Sequence, residues 1–129
     1  MTDRKRSSVV LTHERPAGEV EILLAGRLDL SCVGRLRDAV LQASRAANGR
    51  VAVDVSRVTA VDSVGLRTLI ACRRLAAAVG VQMVLERPSR VLYARLATTG
   101  LLRTFKVTGA EPALEPVGSV SDRRAASAR

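Results

Sequence analysis

The stretch "RVTAVDSVGLRTLIACRRLAAAVG", Arg57 to Gly80, decides the fold. It runs from a β-branched strand through a small polar turn, Asp62-Ser63-Val64-Gly65, into a helical stripe. Leu66, Leu69, Ile70, Ala76 and Ala77 fall on the core side of that stripe, Arg67 and Arg74 face outward, and Arg73 lies at its edge. A buried strand-to-helix junction needs only a cap and a glycine. The carboxylate and the hydroxyl are therefore either punctuation or the working end of the protein.

Working upstream, Arg50 to Val55 ("RVAVDV") is a continuous run that contains Asp54, the pattern of a central strand buried on both faces. Ser8 to Thr12 is a short β-branched strand, and "HERPAGE", with Pro16 and Gly18, turns the chain into "EVEILLAG", Glu19 to Gly26. The second strand alternates and then becomes apolar at Leu23 and Leu24, as suits entry into a covered sheet, and Gly26 ends it. Between these strands, Val33, Leu36, Val40, Ala43 and Ala47 mark one face of a helix with Ser31 as its N-cap and Asn48-Gly49 as its stop.

Downstream, Val81 to Glu86 reads as a strand, Ser89 caps a helix that stops at Gly100, and "LLRTFKV" supplies a last short strand. The order is ββαβαβαβ, an α/β domain whose parallel strands are joined by right-handed crossovers. The expected organisation is a polar leader at 1–7, one domain at 8–107, and a tail at 108–129. Pro112, Pro116, Gly118 and a Ser/Ala/Arg-rich ending predict disorder for that tail.

Composition removes several classes of function. A chain of 129 residues is long enough to bury a core without staples. The net charge of +9 raises the question of nucleic acid, but the arginines are scattered among acids and only Arg4 to Arg6 form a compact run. Tyr93 and Phe105 are the only aromatic residues, so there is no platform for stacking bases. No specific nucleic-acid binding is expected. Cys32 and Cys72 have neither a CxxC spacing nor a histidine cluster, which argues against a metal and favours reduced core thiols. "MTDRKRSS" is not followed by an apolar h-region, and no apolar run approaches the roughly 18 residues that span a bilayer. A cytoplasmic protein without membrane insertion is expected.

The catalytic patterns are also missing. "DSVGL" carries no lysine after its glycine, and there is no glycine-rich phosphate loop. A serine-histidine pair would require the sole histidine, His13, to reach Ser63 from the first hairpin, and the GxSxG elbow is absent. Asp29 and Asp62 have the residue type for acid-base chemistry, and equally that of a loop cap and a helix cap. No enzyme and no cofactor are expected.

The segment Val51 to Phe105 has an apolar strand ending in Asp, then a DSxGL turn, an amphipathic helix, a further strand, a Pro-Ser turn and a helix closing in Thr-Gly-Leu. With "GRLDLSCVGRLRDAV" upstream, this resembles the STAS domain of bacterial anti-sigma-factor antagonists over about Ser8 to Val107. Arg27 stands where the family pattern has an acid. The resemblance implies a single STAS-like domain, a mixed β-sheet with helices packed against one face. It implies phosphorylation at Ser63 and a partner-binding surface of Asp29, Asp62, Ser63, Val64 and Gly65. The implied role is partner switching in transcription regulation and stress response. An anti-sigma factor that is also a serine kinase binds the unmodified chain, frees a sigma factor and later phosphorylates the serine, and a phosphatase resets it. A constitutive STAS subunit of another complex, such as a lipid transporter or a signalling assembly, is the alternative.

Overall fold

Strand β3 (Arg50–Val61) is the axis of the sheet in the computed structural model, which describes residues 8–109. On one side of it lies β2 (Val20–Leu28), parallel, and then β1 (Val9–Glu14), antiparallel to β2. On the other side lie β4 (Gln82–Glu86) and β5 (Lys106–Thr108), both parallel, giving the order β1-β2-β3-β4-β5. Three helices make the crossovers: α1 (Val33–Ala46), α2 (Ser63–Ala78) and α3 (Arg90–Thr98). Short 3-10 turns at Leu30–Cys32 and Leu101–Arg103 complete the path. The fold is the mixed sheet with helices on one face that the STAS resemblance implies.

Register sorts the strand residues between two faces. Val20 pairs with Val51 and Ile22 with Val53, while Met83 and Leu85 pair with the same two residues from β4. All six are buried and form the floor of the core. Leu36, Val40 and Ala43 of α1, Leu66, Leu69, Cys72 and Ala76 of α2, and Leu92 and Leu96 of α3 close over it. Each buried leucine contributes about 2 kcal/mol by leaving water, and these aliphatic stripes hold the helices down, with Phe105 the aromatic side chain in the same core.

The opposite face is fastened by charge. Arg15, in the β1–β2 turn, reaches Glu21 Oε2 at 2.6 Å and Glu86 Oε1 at 2.7 Å, and so spans from β2 to β4. Its guanidinium is pushed above its ordinary pKa, mainly by the hydrogen bonds to Glu86 and then Glu21. Arg87 pairs with Asp54 beside it.

Several local expectations are corrected. Gly26 does not end β2: it sits inside the strand at φ +95°, at a register shift against β3, and pairing continues to Leu28. Ser31 is not the cap of α1. Cys32 occupies that position without a side-chain bond, while the Ser31 hydroxyl goes to Asp29. Strand β3 continues past Val55 to Val61. Ala77 is exposed, and Leu101–Arg103 is a 3-10 turn that leaves only three residues for β5. Thr108, placed in the tail by sequence, pairs with Glu86 in β5. The leader at 1–7 and the chain from 110 to 129 lie outside the described residues.

Candidate functional site

The turn between β3 and α2 is held by three backbone-directed contacts. The Asp62 N–H donates to the Leu28 carbonyl at 3.3 Å, which ties the end of β3 to the end of β2. Asp62 keeps an extended backbone as the N-cap of α2, and its Oδ1 accepts the Gly65 N–H at 2.9 Å. The Leu66 N–H completes the first helical bond to the Asp62 carbonyl at 3.0 Å. Asp62 is thus the helix cap that its position suggested.

Gly65 answers a steric demand. A Cβ built there would lie 2.0 Å from the Leu28 carbonyl oxygen and 2.7 Å from its carbon. Both are main-chain atoms that cannot swing aside, so the first turn of α2 sits directly on the end of β2. Val64 is half-buried and its carbonyl accepts the Thr68 hydroxyl at 2.8 Å. Ser63, the first helical residue, is exposed, and its hydroxyl makes no hydrogen bond among the described residues.

A second carboxylate stands beside this turn. Asp29 Oδ1 accepts the Ser31 N–H at 3.0 Å and the Ser31 hydroxyl at 2.6 Å, and Oδ2 accepts Arg27 Nε at 2.9 Å. The Ser31 hydroxyl, followed by Arg27, holds the Asp29 carboxyl below its ordinary range. Arg27, Asp29, Ala60, Val61 and Asp62 line one cavity of about 90 Å³. Asp29, Asp62 and the residues that follow Asp62 therefore share one end of the sheet.

Three further residues frame this end. Arg35 donates to the Ser8 carbonyl at 2.6 Å and to the Ser31 carbonyl at 3.2 Å, pinning the Asp29 turn. Arg95, from α3, donates to the Val61 carbonyl at 2.8 Å. Leu30 is 74% exposed, the most exposed large apolar side chain among the described residues, and it lies between Asp29 and Ser31. The sequence offered only the four-residue spacing of Ser31 and Arg35 as a hint of these contacts.

A serine-histidine pair is not assembled. His13 pairs across the sheet with Glu21, and its Nε2 lies 2.9 Å from the Glu21 carboxylate. Ser63 follows the strand end that pairs with Leu28. Glu21 and Leu28 are separated by about 23 Å of strand at 3.3 Å per residue. A larger cavity, about 600 Å³, opens at the His13 end between Leu11, Leu23, Asp54 and Arg87, away from the serine. Among the described residues no cluster of three potential metal ligands occurs, and no helix is long and apolar enough to cross a membrane. Both cysteines are free and buried, and burial pushes the Cys72 thiol up to about 12.

The family model described as "Mlab, STAS domain" matches residues 11–115. No curated protein matches the sequence. Among solved structures, SpoIIAA in its unphosphorylated form superimposes with a TM-score of 0.63 at 22% identity, covering 82% of this chain and 93% of its own. The phosphorylated form of SpoIIAA, from Bacillus, gives 0.59 at 22% identity over 82% of this chain and 96% of that one. An anti-sigma factor antagonist from Mycobacterium paratuberculosis gives 0.66 at 22% identity over 84% and 92%. At these identities the likenesses show the fold.

Proposed function

The chain belongs to the STAS-domain family, and we propose that it is an anti-sigma-factor antagonist switched by phosphorylation of Ser63. The observation that carries this reading is the exposed Ser63 hydroxyl, without a partner among the described residues, on a turn fixed by Asp62 and Gly65. The fold neighbours described as antagonists, one of them solved in a phosphorylated form, support it.

In this reading the partner is an anti-sigma factor with serine-kinase activity, and the chain is its ligand and substrate. The unmodified surface of Asp29, Asp62, Ser63 and Val64 docks on it, with the buried Gly65 seating the turn beneath them, and a sigma factor is released. In the later step the Ser63 oxygen attacks the γ-phosphorus of ATP. The new Oγ–P bond forms as the bond to ADP breaks, and the hydroxyl proton passes to a base on the kinase. The product carries about −1.5 to −2 charge at a surface that fitted a neutral hydroxyl. A cost of about 3 kcal/mol in the complex would weaken binding about a hundredfold. A phosphatase restores the serine by hydrolysis. The role belongs to transcription regulation in the cytoplasm, in a stress response.

The test compares unmodified, phosphorylated and Ser63→Ala protein on the anti-sigma kinase that co-purifies with the chain from native cells. One phosphate on Ser63, absent from the folded Ser63→Ala variant, and weak binding of the phosphorylated form alone are expected. Equal affinity of all three, or phosphate found only at Ser89, would overturn the switch and leave a constitutive binding module.

A further inference from the structure

We propose that Arg27 and Arg67 form a receptor, within the same chain, for the phosphate carried on Ser63. The inference rests on the phosphorylation reading above and concerns what the chain itself does with that group.

Arg27 approaches from the sheet. It pairs with Ala60 in the register of β2 on β3, and the next residue, Leu28, accepts the Asp62 N–H, so its strand runs alongside the start of α2. Its side chain is 49% exposed and shares the 90 Å³ cavity with Asp62. Only Nε is engaged, by Asp29 at 2.9 Å; the two terminal nitrogens have no partner among the described residues. The ion pair therefore holds the guanidinium in place while leaving the edge that binds two oxygens at once.

Arg67 approaches from the helix. It lies four residues after Ser63 on α2, exposed, with no ion pair or hydrogen bond among the described residues. Residues at that spacing are neighbours on a helix surface, with Cβ atoms about 5–6 Å apart. One cation thus stands on the strand side of Ser63 and one on the helix side.

The electrostatics make such a pair useful. Asp29 and Asp62 line the same end of the sheet, and a phosphate set beside two carboxylates meets like charge. Two guanidiniums offset that repulsion, and Arg27 can do so without releasing Asp29. Arginine matches phosphate through a planar fork, which lysine and glutamine lack. A glutamate at position 63 carries one charge and two oxygens, so it fills this receptor incompletely.

The test needs no kinase. Phosphoserine is installed at position 63 of the full chain during translation, and its second ionisation is followed by ³¹P NMR. Held between two arginines, the phosphate should titrate at least about half a pH unit below its ordinary value near 6. Arg27→Gln and Arg67→Gln should each remove part of that shift, and the double variant all of it. Arg27→Lys should restore less than the native arginine.

Arg74 serves as the control for general basicity. It lies eleven residues past Ser63 on α2, about 16 Å along the helix axis and beyond the screening length of about 8 Å. Arg74→Gln should leave the titration unchanged. Circular dichroism of the unphosphorylated variants checks folding, since both arginines are exposed. Identical titration of the native and double-variant phosphoproteins would overturn the receptor. A kinase that leaves Ser63 untouched would instead overturn the proposed function, with this titration unaffected.

Discussion

Asp54 and Asp62 lie eight residues apart on the same stretch of chain, and each bonds a backbone N–H just downstream. Asp54 accepts from Ser56 at 2.9 Å, and Asp62 accepts from Gly65 at 2.9 Å. Beyond that shared habit they differ. Asp54 is 9% exposed and pairs with Arg87, within the charged network that fastens the helix-free face of the sheet. Asp62 is exposed at the sheet's end, makes no ion pair among the described residues, and precedes the candidate serine. Local chemistry sets the hydrogen bond, and position in the fold decides whether the carboxylate holds strands together or stands exposed at the sheet's end.

The largest break in this comparison comes from removing what supports the Asp62 end. Gly65→Ala puts a methyl group 2.0 Å from the Leu28 oxygen, so either α2 lifts from β2 or the domain loses stability. A loss of about 4 kcal/mol or more is expected, measured by urea unfolding. Retained stability would show that α2 can slide and that the turn is not fixed by this contact.

Asp54→Asn comes next. It removes the charge facing Arg87 and should cost about 2 kcal/mol, because the pair is only partly shielded from water. The same variant sharpens the contrast in acid. Burial raises the Asp54 pKa, but the bonds from Ser56 and Arg87 outweigh it, so the folded value lies below the ordinary one. A depressed carboxylate adds stability that is complete above about pH 4 and is lost as pH falls through the folded value. The melting temperature of Asp54→Asn should therefore fall less than that of the native chain between pH 5 and pH 3. Parallel curves would show that the Asp54 charge contributes nothing in this range.

The smallest effect is expected at the exposed carboxylate. Asp62→Ala loses one helix cap, about 1 kcal/mol, and Asp62→Ser should recover most of it. A much larger loss would make Asp62 a structural residue like Asp54 and weaken its place on a partner surface.

The order of elements was legible because each signal was local. The stripe of Leu36, Val40 and Ala43, the cap at Ser89 and the stop at Gly100 act within one or two turns, and the structure has all of them. The misreadings arose where a distant contact overrode a local habit. Gly26 looked like a terminator, yet pairing with β3 carries β2 two residues further. Ser31 had the chemistry of a helix cap, but Asp29 holds its hydroxyl and N–H instead. Arg15 read as one of many scattered cations, although its partner Glu86 is 71 residues away in sequence. For the candidate site, "DSVG" drew attention to the turn. The Leu28 carbonyl that dictates Gly65, and the arginines around the turn, become visible only once β2 lies beside β3.

The seating of Gly65 on Leu28 also bears on time. The first turn of α2 is seated against main-chain atoms of β2, while the Ser63 side chain points to solvent, so a change at that side chain does not require the helix to move. Under the proposed switch, a phosphate on this serine would alter the surface without waiting for a packed element to shift. Side-chain rearrangements at exposed positions take picoseconds to nanoseconds, whereas shifts of packed elements take microseconds or longer. On that proposal, the tempo of switching would be set by the partners that add and remove the phosphate, not by the fold of this chain.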